Sequence, residues 1–494
     1  MKQGWGTARA SVLLLACIAT GIALRMMGMA GEAAWCDEAL SAACLPAEGF
    51  RGYLQCAFER DPTIRLAPLY HLVQFSWSLV FGGALYSLRM LSVTLSAVAM
   101  LQIYLLARQM ATPAVARWAV LLFGLSLFQI YYAQEVRVYA LLNVLALASI
   151  HGLWSYVASG RQRGLWICLA FNAALLLTHS FTVVLVSAQG LYVLLSARDR
   201  RHAFHWIGAH ATLALAFAAW ILLLGYDVAK ESGAYGGATA GIRELGAMAL
   251  QFSGARFSNR NPGDYLPGGF NLELPVLALV AGLAFLPLLW AVLRNAPDQE
   301  EQRRRKFILM LAVWLIVPAV LLFAIGQLWR PCFYPRYLVH CAIPVNMLAA
   351  MGLAGLHPQP KRRLIAAVLL AMLLWQNLAL PRPFRADYGA MASAVAGDPA
   401  PKKTVLALKR FNYLAVDYAL RDQDLPVELL YGLKETIGIA KQRAAEGKSV
   451  WVVFYLWADL PPFEAAMADA GLTMRVFQTA GMPGLHVYHV ADGG

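Results

Sequence analysis

Apolar runs close to the length of a bilayer crossing recur from about residue 10 to residue 380 of this 494-residue chain, separated by short basic segments. Such runs leave the backbone little choice, because in hydrocarbon only a helix or a closed barrel satisfies every N–H and C=O without water. With 60% hydrophobic and 14% charged residues, the composition is that of a polytopic helical membrane protein. The first run, Ser11 to Leu24, follows Lys2 and Arg9, and Gly28-Met29-Ala30 beyond it has the small-x-small spacing of a cleavage site. Arg25 between run and site argues for a retained span continuing to about Ala30.

A net charge of +13 would fit a nucleic-acid partner in a soluble chain, so its location decides. The basic residues cluster at Lys2 and Arg9; Arg108 and Arg117; Arg161 and Arg163; Arg198, Arg200 and Arg201; Arg294 and Arg303 to Lys306; and Lys361 to Arg363. With these segments on the cytoplasmic side, topology accounts for the whole excess and no nucleic acid is needed. The rule predicts about eleven spans, near 10–30, 88–107, 117–133, 139–157, 165–179, 181–197, 207–225, 273–293, 307–328, 338–356 and 364–380. The N-terminus is then inside and the C-terminus outside. The apolar stretch from Leu165 to Ala197 is long for one span, and Thr178-His179-Ser180 in its middle predicts two short spans joined by an external turn.

Two long external stretches follow from this topology. The first, residues 31–87, holds Asp37 and Glu38, then Cys44 and Cys56, then a surface helix opening at Ala67-Pro68-Leu69-Tyr70-His71 and ending near Gly82-Gly83. An oxidising compartment could join the two cysteines, which spacing alone does not decide. The second stretch, residues 226–272, is rich in Gly, Asn, Ser and Pro and reads as a lid, an acceptor-recognition loop or a plain connector carrying Lys230, Glu231, Arg243, Glu244, Arg256 and Asp264. After Pro381-Arg382-Pro383 the chain alternates strand-like runs at 404–408, 427–431, 450–456, 474–478 and 485–490 with helical patterns at 411–421, 434–446 and 462–470. Residues 1–380 therefore read as a transmembrane domain and 381–494 as a small external α/β domain. Neither a Gly-rich phosphate loop nor a Cys/His metal spacing is present in the sequence, and no metal or cofactor is expected.

Three polar clusters fall on the external side. Asp37 and Glu38 follow the first span, where a carboxylate left unpaired at the edge of hydrocarbon is costly and points to function. Tyr131 to Tyr139 places Glu135, Arg137 and three tyrosines between two apolar helices, and a helical register would put Glu135 and Tyr139 on one face. Tyr334-Pro335-Arg336-Tyr337 sets a guanidinium, whose planar fork of donors suits phosphate, at the membrane boundary.

The order of these pieces resembles the GT-C glycosyltransferases, in particular bacterial relatives of protein O-mannosyltransferases and of the lipid A aminoarabinose transferase. The resemblance is carried by the acidic pair, the Pro-Leu-Tyr unit, Gln134-Glu135-Val136-Arg137-Val138-Tyr139-Ala140-Leu141, and Arg336-Tyr337. It implies an inverting transfer of a sugar from a polyprenyl-phosphate donor to an envelope glycan, lipid or protein at the periplasmic face of a bacterial cytoplasmic membrane. Carried over, Asp37 is the general base, and Glu38, pointing away from it in an extended segment, orients the acceptor or a neighbouring cation. Arg336, with Tyr337 and Arg137, binds the donor phosphate; Glu135 and Tyr139 position substrate; Tyr70 and His71 line the entrance. The chain departs from the pattern at Ala67 and His71, where relatives commonly carry proline and tyrosine. The rival from another class is a secondary transporter or flippase-like membrane protein with Asp37, Glu135 and Arg137 as a coupling relay.

Overall fold

The computed structural model describes residues 2–45, 49–197, 199–224, 240–255, 272–294, 298–329, 331–378, 386–423, 425–455, 460–477 and 485–492. Arg198, Lys230, Glu231, Arg256, Asp264 and Pro381-Arg382-Pro383 lie outside the described residues. The chain divides into two compact units, one of Met1–Met27, Pro62–Trp77 and Arg89–Leu380, the other of Gly28–Asp61, Ser78–Leu88 and Pro381–Gly494.

The first unit is helical. Among the described residues, helices at Leu85–Gln109, Tyr139–Ser159, Arg200–Leu224, Glu273–Leu293, Gln299–Leu328 and Pro335–Gly355 are long and apolar enough to cross a membrane. The stretch expected to form two short spans is two helices, Gln162–Leu176 and Val183–Ser196, with His179 in the turn between them. Gly160, at φ +67°, turns the chain from helix Tyr139–Ser159 into helix Gln162–Leu176. These two helices touch backbone to backbone. A Cβ on Gly152 would fall 2.6 Å from the Cys168 nitrogen and one on Gly164 2.6 Å from the Tyr156 nitrogen, so only glycine permits the approach.

The span expected over 117–133 is broken. Helices Pro113–Leu125 and Leu127–Ala133 meet at 64° about Ser126, whose ψ of 115° is extended. A break exposes carbonyls that hydrocarbon cannot satisfy, and side chains from distant helices fill the gap. Arg25 donates to Gly124 O at 2.8 Å and Phe123 O at 3.2 Å, and Asn377 Nδ2 donates to Leu125 O at 2.9 Å. Arg25 Nε in turn donates to Ser96 Oγ at 2.8 Å, leaving the guanidinium fully buried and hydrogen-bonded. Within the stretch expected to be an irregular lid or connector, Ile242–Phe252 is a helix. It ends against the same break, with Phe252 5.5 Å from the Phe128 ring, and Gly254 (φ +82°) so close to Ser126 that a Cβ there would lie 3.2 Å from its Cα.

The second unit is built on a five-stranded sheet ordered β2-β1-β3-β5-β4, with β1 Lys403–Leu408, β2 Val427–Leu430, β3 Ser449–Tyr455, β4 Leu472–Phe477 and β5 Leu485–Asp492. β1 pairs in parallel with β2 and β3, while β5 runs antiparallel to both β3 and β4. Leu406, Val450, Val452, Phe454 and Tyr488 of the sheet pack with Ala440, Phe463 and Met467 of the helices in one core. Helices Cys36–Ala42 and Gly49–Arg60 belong to this unit and are joined by a disulfide between Cys44 and Cys56.

Candidate functional site

In the first unit the Gln134–Val138 segment is irregular and the next helix starts only at Tyr139. The shared helical face expected for Glu135 and Tyr139 is therefore absent: the segment turns between two apolar helices and is tied to its surroundings through side chains. Gln134 Nε2 donates to Arg25 O and Met27 O, both at 2.9 Å, and Ser92 Oγ donates to Glu135 O at 2.6 Å. Glu135 and Tyr139 are buried, whereas Arg137 stays half-buried. The Tyr139 ring lies 4.6 Å from Tyr132, and Tyr132 is within electrostatic reach of both Glu135 and Arg336.

Arg336 stands in the first turn of a 3-10 helix, Pro335–Cys341, that Gln129 fixes by donating to Val339 O at 3.0 Å. Its guanidinium lies over the rings of Tyr334 and Tyr337, 5.2 and 5.6 Å from their centroids. His179 packs on the same Tyr337 at 4.6 Å, and Phe181 stacks on Tyr337 at 5.2 Å. Burial first, then the charges of Arg137 and Arg336, push His179 down to about 3, so its ring is neutral at physiological pH. Burial and then Arg137 do the same to His71, again to about 3. Arg137, Arg336, Tyr337, Glu135, Tyr139 and His71 thus gather in one neighbourhood. Tyr70 and His71 do not line an entrance, being buried at 0% and 4% exposure. Their helix starts instead with Leu69 N–H donating to Leu177 O at 3.0 Å, next to the His179 turn.

In the second unit Asp37 and Glu38 lie in the first turn of helix Cys36–Ala42, where the helix dipole favours carboxylates. The segment is thus helical, correcting the extended one expected; the side chains point about 100° apart rather than to opposite sides. Their environments differ more sharply than that. Glu38 is 0% exposed, while Asp37 remains half-buried and reachable. The helix packs on helix Arg410–Leu420 and is tied in by a polar chain. Tyr388 donates to Asn412 Oδ1 at 2.9 Å, and Asn412 Nδ2 donates to Val453 O on β3 at 2.8 Å. With the phenol proton so used, the Cys36 thiol 3.1 Å away is the donor to Tyr388 oxygen. Burial pushes that thiol up to about 12, which keeps it protonated for the task.

His179 was not among the residues singled out for chemistry. Its signal was the polar triplet Thr178-His179-Ser180 interrupting an apolar run. Among the described residues no three His, Cys, Asp or Glu are arranged to hold a metal ion.

The architecture is the GT-C fold. The chain is similar to ArnT from Cupriavidus metallidurans bound to undecaprenyl phosphate, with a TM-score of 0.55 and 13% identity over 99% of this chain and 98% of that one. The apo state of the same protein gives 0.54 and 13%, over 98% of both chains. The archaeal oligosaccharyltransferase AglB from Archaeoglobus fulgidus, in complex with an inhibitory peptide and a dolichol-phosphate, gives 0.51 and 11%, over 99% of this chain and 74% of that one. No protein-family model matches the chain, and no curated protein matches it by sequence.

Proposed function

We propose that the protein is an integral membrane glycosyltransferase that moves a sugar from a polyprenyl-phosphate donor to an envelope glycan, lipid or protein. The observation that carries the reading is the convergence of two half-buried guanidiniums, Arg137 and Arg336, on the aromatic group around Tyr337 and His179. Two half-buried guanidiniums, Arg336 lying over rings and Arg137 acting on the same His179, suit an anion, and the GT-C fold is shared with a protein that binds undecaprenyl phosphate. In the proposed topology the chain crosses a bacterial cytoplasmic membrane about eleven times, with the N-terminus cytoplasmic and residues 381–494 periplasmic.

In this mechanism the acceptor hydroxyl attacks the anomeric carbon from the face opposite the phosphate, and Asp37 takes the hydroxyl proton. The bond from the anomeric carbon to the phosphate oxygen breaks with its electron pair going to the phosphate, so configuration inverts and a polyprenyl monophosphate leaves. Arg336 and Arg137 stabilise the charge that grows on that oxygen. Asp37 is favoured over Glu38 for the base by its exposure. Glu38 and Glu135, both buried, act by orienting what surrounds them. The test is transfer by the purified protein in nanodiscs from a panel of radiolabelled polyprenyl-phosphate sugars to an envelope extract, alongside Asp37→Asn. Transfer by the parent with a loss of about a hundredfold or more in the variant is expected. Equal transfer by both moves the base elsewhere, and failure of the parent to bind any polyprenyl phosphate favours the transporter relay.

A further inference from the structure

The turn at His179 is more rigid than a connector between two helices needs to be. The His179 N–H donates to Leu175 O at 2.9 Å, and Thr182 Oγ1 and Thr182 N–H both donate back to His179 O, at 2.8 and 3.0 Å. The ring is fixed by Tyr337 at 4.6 Å and Phe181 at 5.8 Å. Held so, its Nδ1 is enclosed yet has no hydrogen-bond partner among the described residues. An enclosed polar nitrogen is costly unless something supplies its partner. The groups whose charge acts on it are the guanidiniums of Arg137 and Arg336, which only donate, and the ring of His340. A neutral imidazole with Nδ1 protonated adds a third donor to theirs. What three donors from three chain segments fit is one group with several acceptor oxygens set in different directions.

We infer that His179 is a direct ligand of a phosphate oxyanion held together with Arg137 and Arg336, its Nδ1–H donating to a non-bridging oxygen. The inference rests on the donor-phosphate reading above and extends it. A neutral donor suits this position, because it binds the oxyanion without adding a third positive charge that would hold the product phosphate after transfer. The same chemistry could come from a lipid headgroup or from free phosphate, and binding separates the two.

The experiment measures binding of undecaprenyl phosphate, and separately of inorganic phosphate, to the full chain in nanodiscs for the parent, His179→Phe and His179→Asn. Phenylalanine keeps the ring against Tyr337 and removes the donor, whereas the asparagine amide places an N–H near the position of Nδ1. Expected is a loss of roughly tenfold or more in affinity for undecaprenyl phosphate with His179→Phe and recovery to within about threefold with His179→Asn, at matched unfolding temperatures. Parent-like binding by His179→Phe, or an equal loss in both variants, overturns the assignment and leaves the donor reading standing. Binding of inorganic phosphate alone, with the same dependence on residue 179, keeps His179 as an oxyanion ligand and overturns the lipid donor. Binding of neither by the parent overturns both.

Discussion

The two acid-bearing regions of this molecule, Gln134–Tyr139 and Cys36–Ala42, are held by opposite means. The first is irregular backbone inside a helical unit, tied to its surroundings by its own Gln134 side chain, which donates to the Arg25 and Met27 carbonyls, and by Ser92, which donates to Glu135 O. The second is a short regular helix attached to a sheet through the chain Cys36, Tyr388, Asn412 and Val453. The difference follows from what each region holds. Gathering two guanidiniums around one aromatic group needs a turn that no regular element provides, whereas presenting one carboxylate beside a buried neighbour needs only a helix N-terminus fixed in position.

The comparison breaks most visibly in function. Arg336→Gln is expected to weaken undecaprenyl phosphate binding by roughly ten- to a hundredfold. Asp37→Asn is expected to leave that affinity within about twofold and to lower turnover by about a hundredfold or more. Equilibrium binding and single-turnover transfer on the same preparations separate the two, and matching binding losses would erase the division of labour. Next in size is Arg25→Met, which leaves the carbonyls of Phe123 and Gly124 without their donor and should cost about 3 kcal/mol, read as a lower unfolding temperature in detergent. Removing the disulfide with the double change Cys44→Ser and Cys56→Ser should cost about 2–3 kcal/mol, because it frees a short loop in the unfolded chain. The smallest effect belongs to Tyr388→Phe, which cuts the chain between the acidic helix and β3. It should cost about 1 kcal/mol and should raise hydrogen exchange in residues 36–42 while leaving 134–139 unchanged.

The regular parts of this architecture could be read directly. Helices such as Glu273–Leu293 and strands such as Lys403–Leu408 fall on their apolar patterns because burial fixes both period and length. The break at Ser126 could not, since a serine within an apolar run looks like any tolerated polar residue and its cause lies at Arg25 and Asn377, far away in the chain. Helix Cys36–Ala42 escaped for the opposite reason: at seven residues it is too short to show a period. Arg336 and Arg137 could be picked out by residue type and place, but that Tyr337 and His179 bring them together depends on the fold of three separate segments.

The capped break also has a consequence for how the chain is made. Arg25 enters the bilayer with the first helix, but the partners that bury it, Ser96, Phe123 and Gly124, are 71, 98 and 99 residues further on. Until those residues have been synthesised the nascent protein carries an uncompensated cation in its leading apolar segment, a state that hydrocarbon penalises. A polar shelter for the first helix, such as the insertion machinery, until the third apolar segment arrives would remove that cost. Release of the first helix into lipid together with the next two, rather than alone, is therefore the expected order of insertion.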